Sequence, residues 1–423
     1  MLQKLKKNPL LRTLFELRGN PRACVYTEPM WGLSMNLCLP YASVYMLALG
    51  LDDVEVGIVS SIYMFSQVIS SVLAGPMVDK LGRRWSTVIA DALAWSLPCL
   101  IWAFSQGFWF FVGAALLNGL QRISAVSWDC LLVEDAPKDK ITHIYSWVTI
   151  AGNMSALFAP ISSILVAKLT MVSAVKILYI NAFVIMTLKI IILAYFSKET
   201  MQGTVRRTAT KDLSLRELLA GYKESFAKIQ GSLGMKFAIV ISILVEIVMS
   251  IAGTFWQIIV SKRIGVPDVL LPIFPMMKSL MSMILILTVL THIRQYRLKL
   301  PLYGGFFCMI VSDLILIAIR RPGVLGYMLL VGSLFFEALG GAVLNTLRES
   351  LVAINADPED RSNVMALLQA TVMLVSVPFG YIAGILSDRS RVLPFVLCIV
   401  LLITGIFATM IFYGKADREK AAL

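Results

Sequence analysis

Four ionisable side chains, Arg122, Glu246, Lys278 and Glu337, lie deep inside long apolar runs of this 423-residue chain. An ionisable group at the centre of a bilayer helix costs roughly 2.5–3.5 kcal/mol, so such groups face one another or water rather than lipid. Helical spacing gives their direction. Asn118, Arg122 and Asp129 share one stripe; Ser242, Glu246, Ser250, Gly253 and Gln257 share a second; Ser333, Glu337, Gly341 and Arg348 share a third. Two positive and two negative groups make a formally neutral set. A carboxylate shielded from bulk water can take up and release a proton as its surroundings change, so the chemistry on offer is proton carriage and ion-pair exchange with a solute. The alternative is fixed salt bridges that join helices, and Glu246 and Lys278, on neighbouring runs, are the simplest such pair. Asn36, Tyr41 and Tyr45, then Tyr63 and Gln67, Trp147 and Asn153, and Trp256 with Gln257 are the amide and aromatic candidates for the same pocket. Each taken singly also suits plain helix packing.

Elements long enough to hold these groups follow from composition. Hydrophobic residues make up 58% of the chain, charged residues 15%, and the mean hydropathy is +0.79. A soluble core cannot hide that much apolar surface. Twelve runs suit a bilayer helix, which needs about 20 apolar residues. They lie near 27–50, 54–77, 85–105, 107–132, 141–168, 172–196, 235–261, 266–290, 300–319, 324–354, 361–386 and 393–414. No ten-residue alternation supports a barrel. The expected fold is an all-α integral membrane protein of twelve transmembrane helices in two pseudo-symmetric six-helix bundles, 27–196 and 235–414. A basic amphipathic tail (1–26), a linker with an amphipathic helix (197–234) and a short tail (415–423) complete the chain.

Charge sets the orientation. With both ends inside, twenty-six lysines and arginines fall on cytoplasmic segments and eight on outer loops, the bias that orients membrane proteins. That topology explains the net charge of +12 without nucleic acid. The expected setting is a bacterial inner or plasma membrane, with the bilayer itself as partner. Cysteines 24, 38, 99, 130, 308 and 398 avoid the outer loops, so they are read as small buried hydrophobes rather than disulfides. In the linker, Ser214 and Glu217 make a capping box before an apolar stripe of Leu215, Leu218, Leu219, Tyr222, Phe226 and Ile229. The halves also echo each other. Ala136-Pro137-Lys138-Asp139-Lys140 recurs as Asp357-Pro358-Glu359-Asp360-Arg361, 221 residues on, and prolines 160 and 378 follow in the next run of each half. Such an echo is expected of repeats related by an axis along the membrane normal.

Between the second and third runs stands Gly75-Pro-Met-Val-Asp79-Lys80-Leu-Gly82-Arg83-Arg84, read as a tight cationic turn. Its glycines, aspartate and basic residues, at that spacing, resemble the signature loop of the major facilitator superfamily of secondary transporters. The resemblance implies that the first, fourth, seventh and tenth helices line a central cavity, so that Arg122, Glu246, Lys278 and Glu337 surround one aqueous cleft. It leaves Asp91, Lys189 and Asp313 on support helices. It also implies a conformational lock of Gly75, Asp79, Lys80, Gly82, Arg83 and Arg84, with Asp129 as the acidic partner ending the fourth helix. Ser155-x-x-x-Ala159-Pro160-x-x-Ser163 is similar to the small-residue-plus-proline motif of drug–proton antiporters, with Ser and Ala where that motif has glycines.

The chain has no phosphate-cradling loop, no His/Cys cluster of metal spacing and only two histidines, His143 and His292. Neither an enzyme nor a cofactor or metal is expected. The leading reading is a monomeric, proton-coupled carrier of a small organic solute working by alternating access. An uncoupled facilitator or efflux antiporter of the same fold, and a non-transporting sensor, are the alternatives.

Overall fold

The structure, a computed structural model, describes residues 9–214, 217, 233–288, 298–355 and 361–421. The linker's apolar stripe, residues 357–360 of the repeat, His292 and residues 1–8 lie outside these. Every regular element is helical among the described residues: α1 Pro9–Glu16, α2 Gly19–Cys38, α3 Ala42–Ala48, α4 Asp53–Leu81, α5 Arg83–Asp91, α6 Leu97–Ala103, α7 Phe108–Asn118, α8 Gln121–Val133, α9 Ile141–Ala156, α10 Ile161–Lys168, α11 Met171–Phe196, α12 Met201–Thr210, α13 Leu233–Ile258, α14 Ile273–Thr288, α15 Lys299–Ala318, α16 Val324–Asn355, α17 Arg361–Arg389 and α18 Leu393–Ala421. Among these residues ten spans are long and apolar enough to cross a membrane. Two further segments, 19–48 and 108–133, correspond to the first and fourth runs but are interrupted. Leu39–Tyr41 is a single 3-10 turn at Pro40, where proline removes a backbone donor. Gly119 and Leu120 form a turn between α7 and α8.

The compact units differ from the two sequence halves. One comprises 1–39 with 66–220, the other 40–65 with 221–423.

In the first unit, neighbouring side chains repair each break. Ser66 Oγ donates to the Leu116 carbonyl (2.6 Å) and Ser70 Oγ to that of Gly119 (2.5 Å), where the helix between α7 and α8 fails. Gly119 is required there, because a Cβ would strike the Ser66 side chain. A π turn, Ala92–Ser96, joins α5 to α6, and Asn118 Nδ2 donates to the Ala94 carbonyl within it (2.6 Å). The small residues of the fifth run pack directly on the first: a Cβ on Gly32 would lie 2.7 Å from Ser155 Cβ. Pro160 falls at the break between α9 and α10, whereas Pro378 lies inside unbroken α17. Around the start of α2 and the end of α8, Leu17, Cys24, Val25, Leu131, Leu132, Ile144 and Leu193 form a buried cluster, with Trp128 and Trp147 against it. Lys140 and Arg12 both bind Glu16 at 2.7 Å, tethering α1, and hold its carboxyl down at about 2. Ser214 and Glu217 form the expected reciprocal box: Glu217 Oε2 accepts from the Ser214 amide (2.6 Å) and hydroxyl (2.8 Å), and Ser214 Oγ accepts from the Glu217 amide.

In the second unit, the outer part of the first run and the start of α4 pack on the carboxyl-terminal helices. Ser43 Oγ donates to the Thr254 carbonyl (2.6 Å). Ser61 inserts into the α17 ladder beside Pro378, donating to the Val377 carbonyl (2.7 Å) and accepting from the Tyr381 amide (2.9 Å). Nearby, Gly57 meets Gly380 and Gly384 so closely that a Cβ on Gly384 would lie 2.8 Å from the Asp53 carbonyl oxygen and 3.0 Å from Val54 Cα. Asp53 Oδ2 accepts from Ser387 Oγ (2.5 Å) and faces Arg391 Nε at 3.4 Å. The cysteines are free, and Cys24, Cys38, Cys99 and Cys398 are buried.

Glycine to alanine inside a helix ordinarily stabilises it by up to about 1 kcal/mol. Gly384→Ala is expected to do the opposite, costing about 1–3 kcal/mol through overpacking against immovable backbone. Gly332→Ala, which meets open space, serves as the comparison. Equal unfolding midpoints in detergent for the two variants would refute the close approach.

Candidate functional site

The loop motif resolves into a capped helix junction rather than a ten-residue turn. Gly75, Asp79 and Lys80 belong to α4, and the reversal is made by Gly82 alone, at φ 86°. Arg83 is buried at 6% exposure. Its Nη1 donates to Asp79 Oδ1 (2.7 Å) and its Nε to Glu134 (3.1 Å). Glu199 completes the junction, accepting from the backbone amides of Arg83 (2.8 Å) and Arg84 (3.2 Å). An acid there satisfies free amides and the positive end of α5. Thr200 caps α12 through the Gly203 amide and donates to Glu134 (2.5 Å), and Arg84 reaches the Ala194 carbonyl (2.5 Å). Asp129, the expected partner of the arginine, instead accepts from Tyr145 Oη (2.8 Å). The reason is rotational: α8 continues to Val133, so Glu134 is the acid at its end, and Asp129, five residues earlier, points about 140° away. Sequence reading missed Glu134, Glu199 and Thr200. A threonine after the last run of the half, in position to cap a linker helix, was the available signal.

A cavity of about 400 Å³ opens inside the first unit, lined by Glu28, Trp31, Asp91, Trp95, Gln121, Arg122, Ser124, Ala125, Trp128 and Lys189. The first, third, fourth and sixth runs all contribute. The π turn matters here, because Asp91 precedes it and Trp95 lies in it. Lys189 Nζ meets Asp91 Oδ2 at 2.8 Å with both side chains almost fully buried, and Ser124 Oγ donates to the other Asp91 oxygen. Arg122 Nε donates to Gln67 Oε1 (2.9 Å). Trp31 and Trp95 stand edge to face, centroids 5.4 Å apart. Asp91 and Lys189, assigned by sequence to a supporting role, are therefore both a buried pair and part of a cavity wall. Glu28 was missed because the first run was begun at residue 27, which made it look like a terminal residue; α2 begins at Gly19, one helical stretch earlier.

The second unit holds two further intramembrane ion pairs. Lys278 Nζ lies 2.5 Å from Glu337 Oε1, and Arg348 Nη1 lies 2.9 Å from Glu246 Oε2. Glu246 is thus paired with Arg348 on its own side of α16, not with Lys278. The remaining candidates divide. Asn36 donates to the Gly32 carbonyl of its own helix (2.7 Å), and Trp147 packs against the buried cluster of Leu17, Cys24 and Leu131. Asn153 is half-buried on α9. Tyr41 and Tyr45 are fully buried and Tyr63 half-buried, all in the second unit. Trp256 packs edge to face with Phe274 at 5.5 Å, and its indole nitrogen and Gln257 Oε1 are buried without hydrogen-bond partners among the described residues.

Residues 30–372 match the sequence profile of the Major Facilitator Superfamily. Solved structures with the same fold include the nucleoside transporter NupG, at 15% identity and TM-score 0.69 over 93% of this chain and 98% of that one. A POT family transporter in complex with 5-aminolevulinic acid aligns at 14% identity and TM-score 0.69, covering 94% of this chain and 96% of that one. A peptide transporter POT in complex with sulfate aligns at 14% identity and TM-score 0.67, covering 94% of each chain. No curated protein matches the chain.

Removing one partner of a buried pair strands the other charge, at a cost of about 3–5 kcal/mol. Lys189→Met is therefore expected to lower the unfolding midpoint sharply. The double variant Asp91→Asn with Lys189→Met is expected to recover most of the loss. A single variant as stable as the parent would show that the pair contributes nothing.

Proposed function

This chain belongs to the major facilitator superfamily, and from that premise we propose that it is a secondary active transporter that carries a small organic solute across the cell membrane by alternating access, coupled to protons. The observation that carries the reading is the charged, indole-lined cavity of about 400 Å³ within the membrane-spanning part of the first unit. Its size falls in the range of small-molecule sites, and it combines apolar walls with few polar groups. Structural likeness to transporters whose names specify nucleosides and peptides supports a small polar cargo.

Proton coupling rests on Lys278 and Glu337. A proton arriving on Glu337 cancels its attraction for Lys278, so protonation and a change of packing around α14 and α16 are linked. The junction of Asp79, Arg83, Glu134 and Glu199 is the second moving part. Its hydrogen bonds must form and break in each cycle, so they hold one state over another by only a few kcal/mol. The lysine and arginine bias places both ends of the chain in the cytoplasm in this reading.

The tests use the full chain in proteoliposomes. Collapse of an imposed pH gradient is expected to reduce net flux of a transported solute; unchanged flux would leave a facilitator without coupling. Glu337→Gln is expected to retain exchange of solute across the membrane but to lose its response to the gradient. Asp79→Asn is expected to insert and fold yet transport little, and normal transport by that variant would remove the lock from the mechanism.

A further inference from the structure

The cavity in the first unit selects its occupant by charge. We infer, building on the transporter reading above, that it accepts a net-neutral solute carrying a separated ammonium and carboxylate on an apolar body.

The wall charges make the case. By residue type the wall holds two acids, Glu28 and Asp91, and two bases, Arg122 and Lys189, so its formal charge sums to zero. A ligand with net charge would leave an uncompensated ion at membrane depth, which is costly. Asp91 is already engaged, held by Lys189 at 2.8 Å and by Ser124. Glu28 has neither a hydrogen bond nor an ion pair among the described residues, although it is largely shielded from solvent. Lys189 lies in the same wall but is bonded to Asp91, so a solute ammonium would give the Glu28 carboxylate a direct partner that an uncharged solute would not. The same wall carries the indoles of Trp31 and Trp95, whose ring centroids are 5.4 Å apart, and that of Trp128. Indole faces attract ammonium groups and accept hydrocarbon equally well. The opposite end of the solute is served by Arg122, whose planar guanidinium suits a carboxylate. Trp128 adds a donor on the same helix, its indole nitrogen buried with no acceptor among the described residues. Glu28 is therefore assigned to the ammonium group and Arg122 to the carboxylate.

Three probes with one aromatic body separate the possibilities: L-phenylalanine, phenethylamine and 3-phenylpropionate, with uridine as a neutral comparator. Binding to the purified full chain is read by quenching of tryptophan fluorescence, and uptake by proteoliposomes. Phenylalanine is expected to bind at least about tenfold more tightly than either analogue that carries only one of its charges. Glu28→Gln is expected to erase its advantage over 3-phenylpropionate, and Arg122→Gln its advantage over phenethylamine. The comparison of probes on the parent protein needs no variant, so a misfolded variant leaves the test intact. Equal or tighter binding of phenethylamine, 3-phenylpropionate or uridine, or no binding of phenylalanine, would overturn the assignment. Uptake of uridine without phenylalanine would overturn it while leaving the transporter reading standing. Absence of gradient-driven uptake despite tight phenylalanine binding would keep the charge assignment and remove the carrier.

Discussion

In hydrocarbon, a polar group has no water to fall back on, and this single constraint shapes the molecule. An unmet backbone carbonyl inside a bilayer costs several kcal/mol, which is why spanning helices are normally continuous. Here several are not, and another carries an internal proline. The fourth crossing breaks at Gly119, the third carries a π turn at 92–96, and the eleventh runs unbroken through Pro378, which has no backbone donor to give. Each of these three sits beside a short polar side chain from another helix: Ser66 and Ser70, Asn118, and Ser61. The breaks and their partners form a matched set, so losing a hydroxyl exposes a break as well as removing a contact.

The same constraint governs charge. Three of the intramembrane cations among the described residues, Lys189, Lys278 and Arg348, have a carboxylate within 3 Å, while Arg122 donates to the Gln67 amide oxygen. Pairing of this kind brings little net stability, because desolvation offsets much of the attraction. What it does bring is selectivity among arrangements: any packing that separates the partners strands two ions. A fold that must change state while staying in lipid can use such pairs as discrete positions, each either made or exchanged for a proton or a ligand. Of the two cavity acids, Asp91 is held by direct bonds to Lys189 and Ser124, whereas Glu28 has no hydrogen bond or ion pair among the described residues.

The glycine-rich crossing of 57 with 380 and 384 complements these polar devices. Without side chains, two helices approach until backbone meets backbone, and dispersion contacts replace the hydrophobic force that lipid cannot supply. Asp53, Ser387 and Arg391 close one end of the same crossing with polar contacts. Close packing and an ion pair thus act on one segment, 53–65, which belongs to the second unit although it precedes the loop motif in sequence.

The sequence by itself determined the class of protein, because apolar length and charge bias are summed quantities that survive ignorance of contacts. The apolar run 172–196 matches α11 almost to the residue, 393–414 matches the start of α18 although that helix continues to Ala421, and the capping box at Ser214 is a local rule obeyed locally. The family was legible in ten residues for a similar reason: Gly82 must adopt a positive φ and Arg83 must find acids, and both demands are written in residue type. Partnership was not legible. Whether Arg83 meets Asp129 or Glu134, whether Glu246 meets Lys278 or Arg348, and whether Asp91 supports a helix or walls a cavity depend on rotation about helix axes. A rotation of about 100° per residue turns a small error in where a helix ends into a different neighbour. Only the tertiary structure fixes that angle, because it is set by packing against helices distant in sequence.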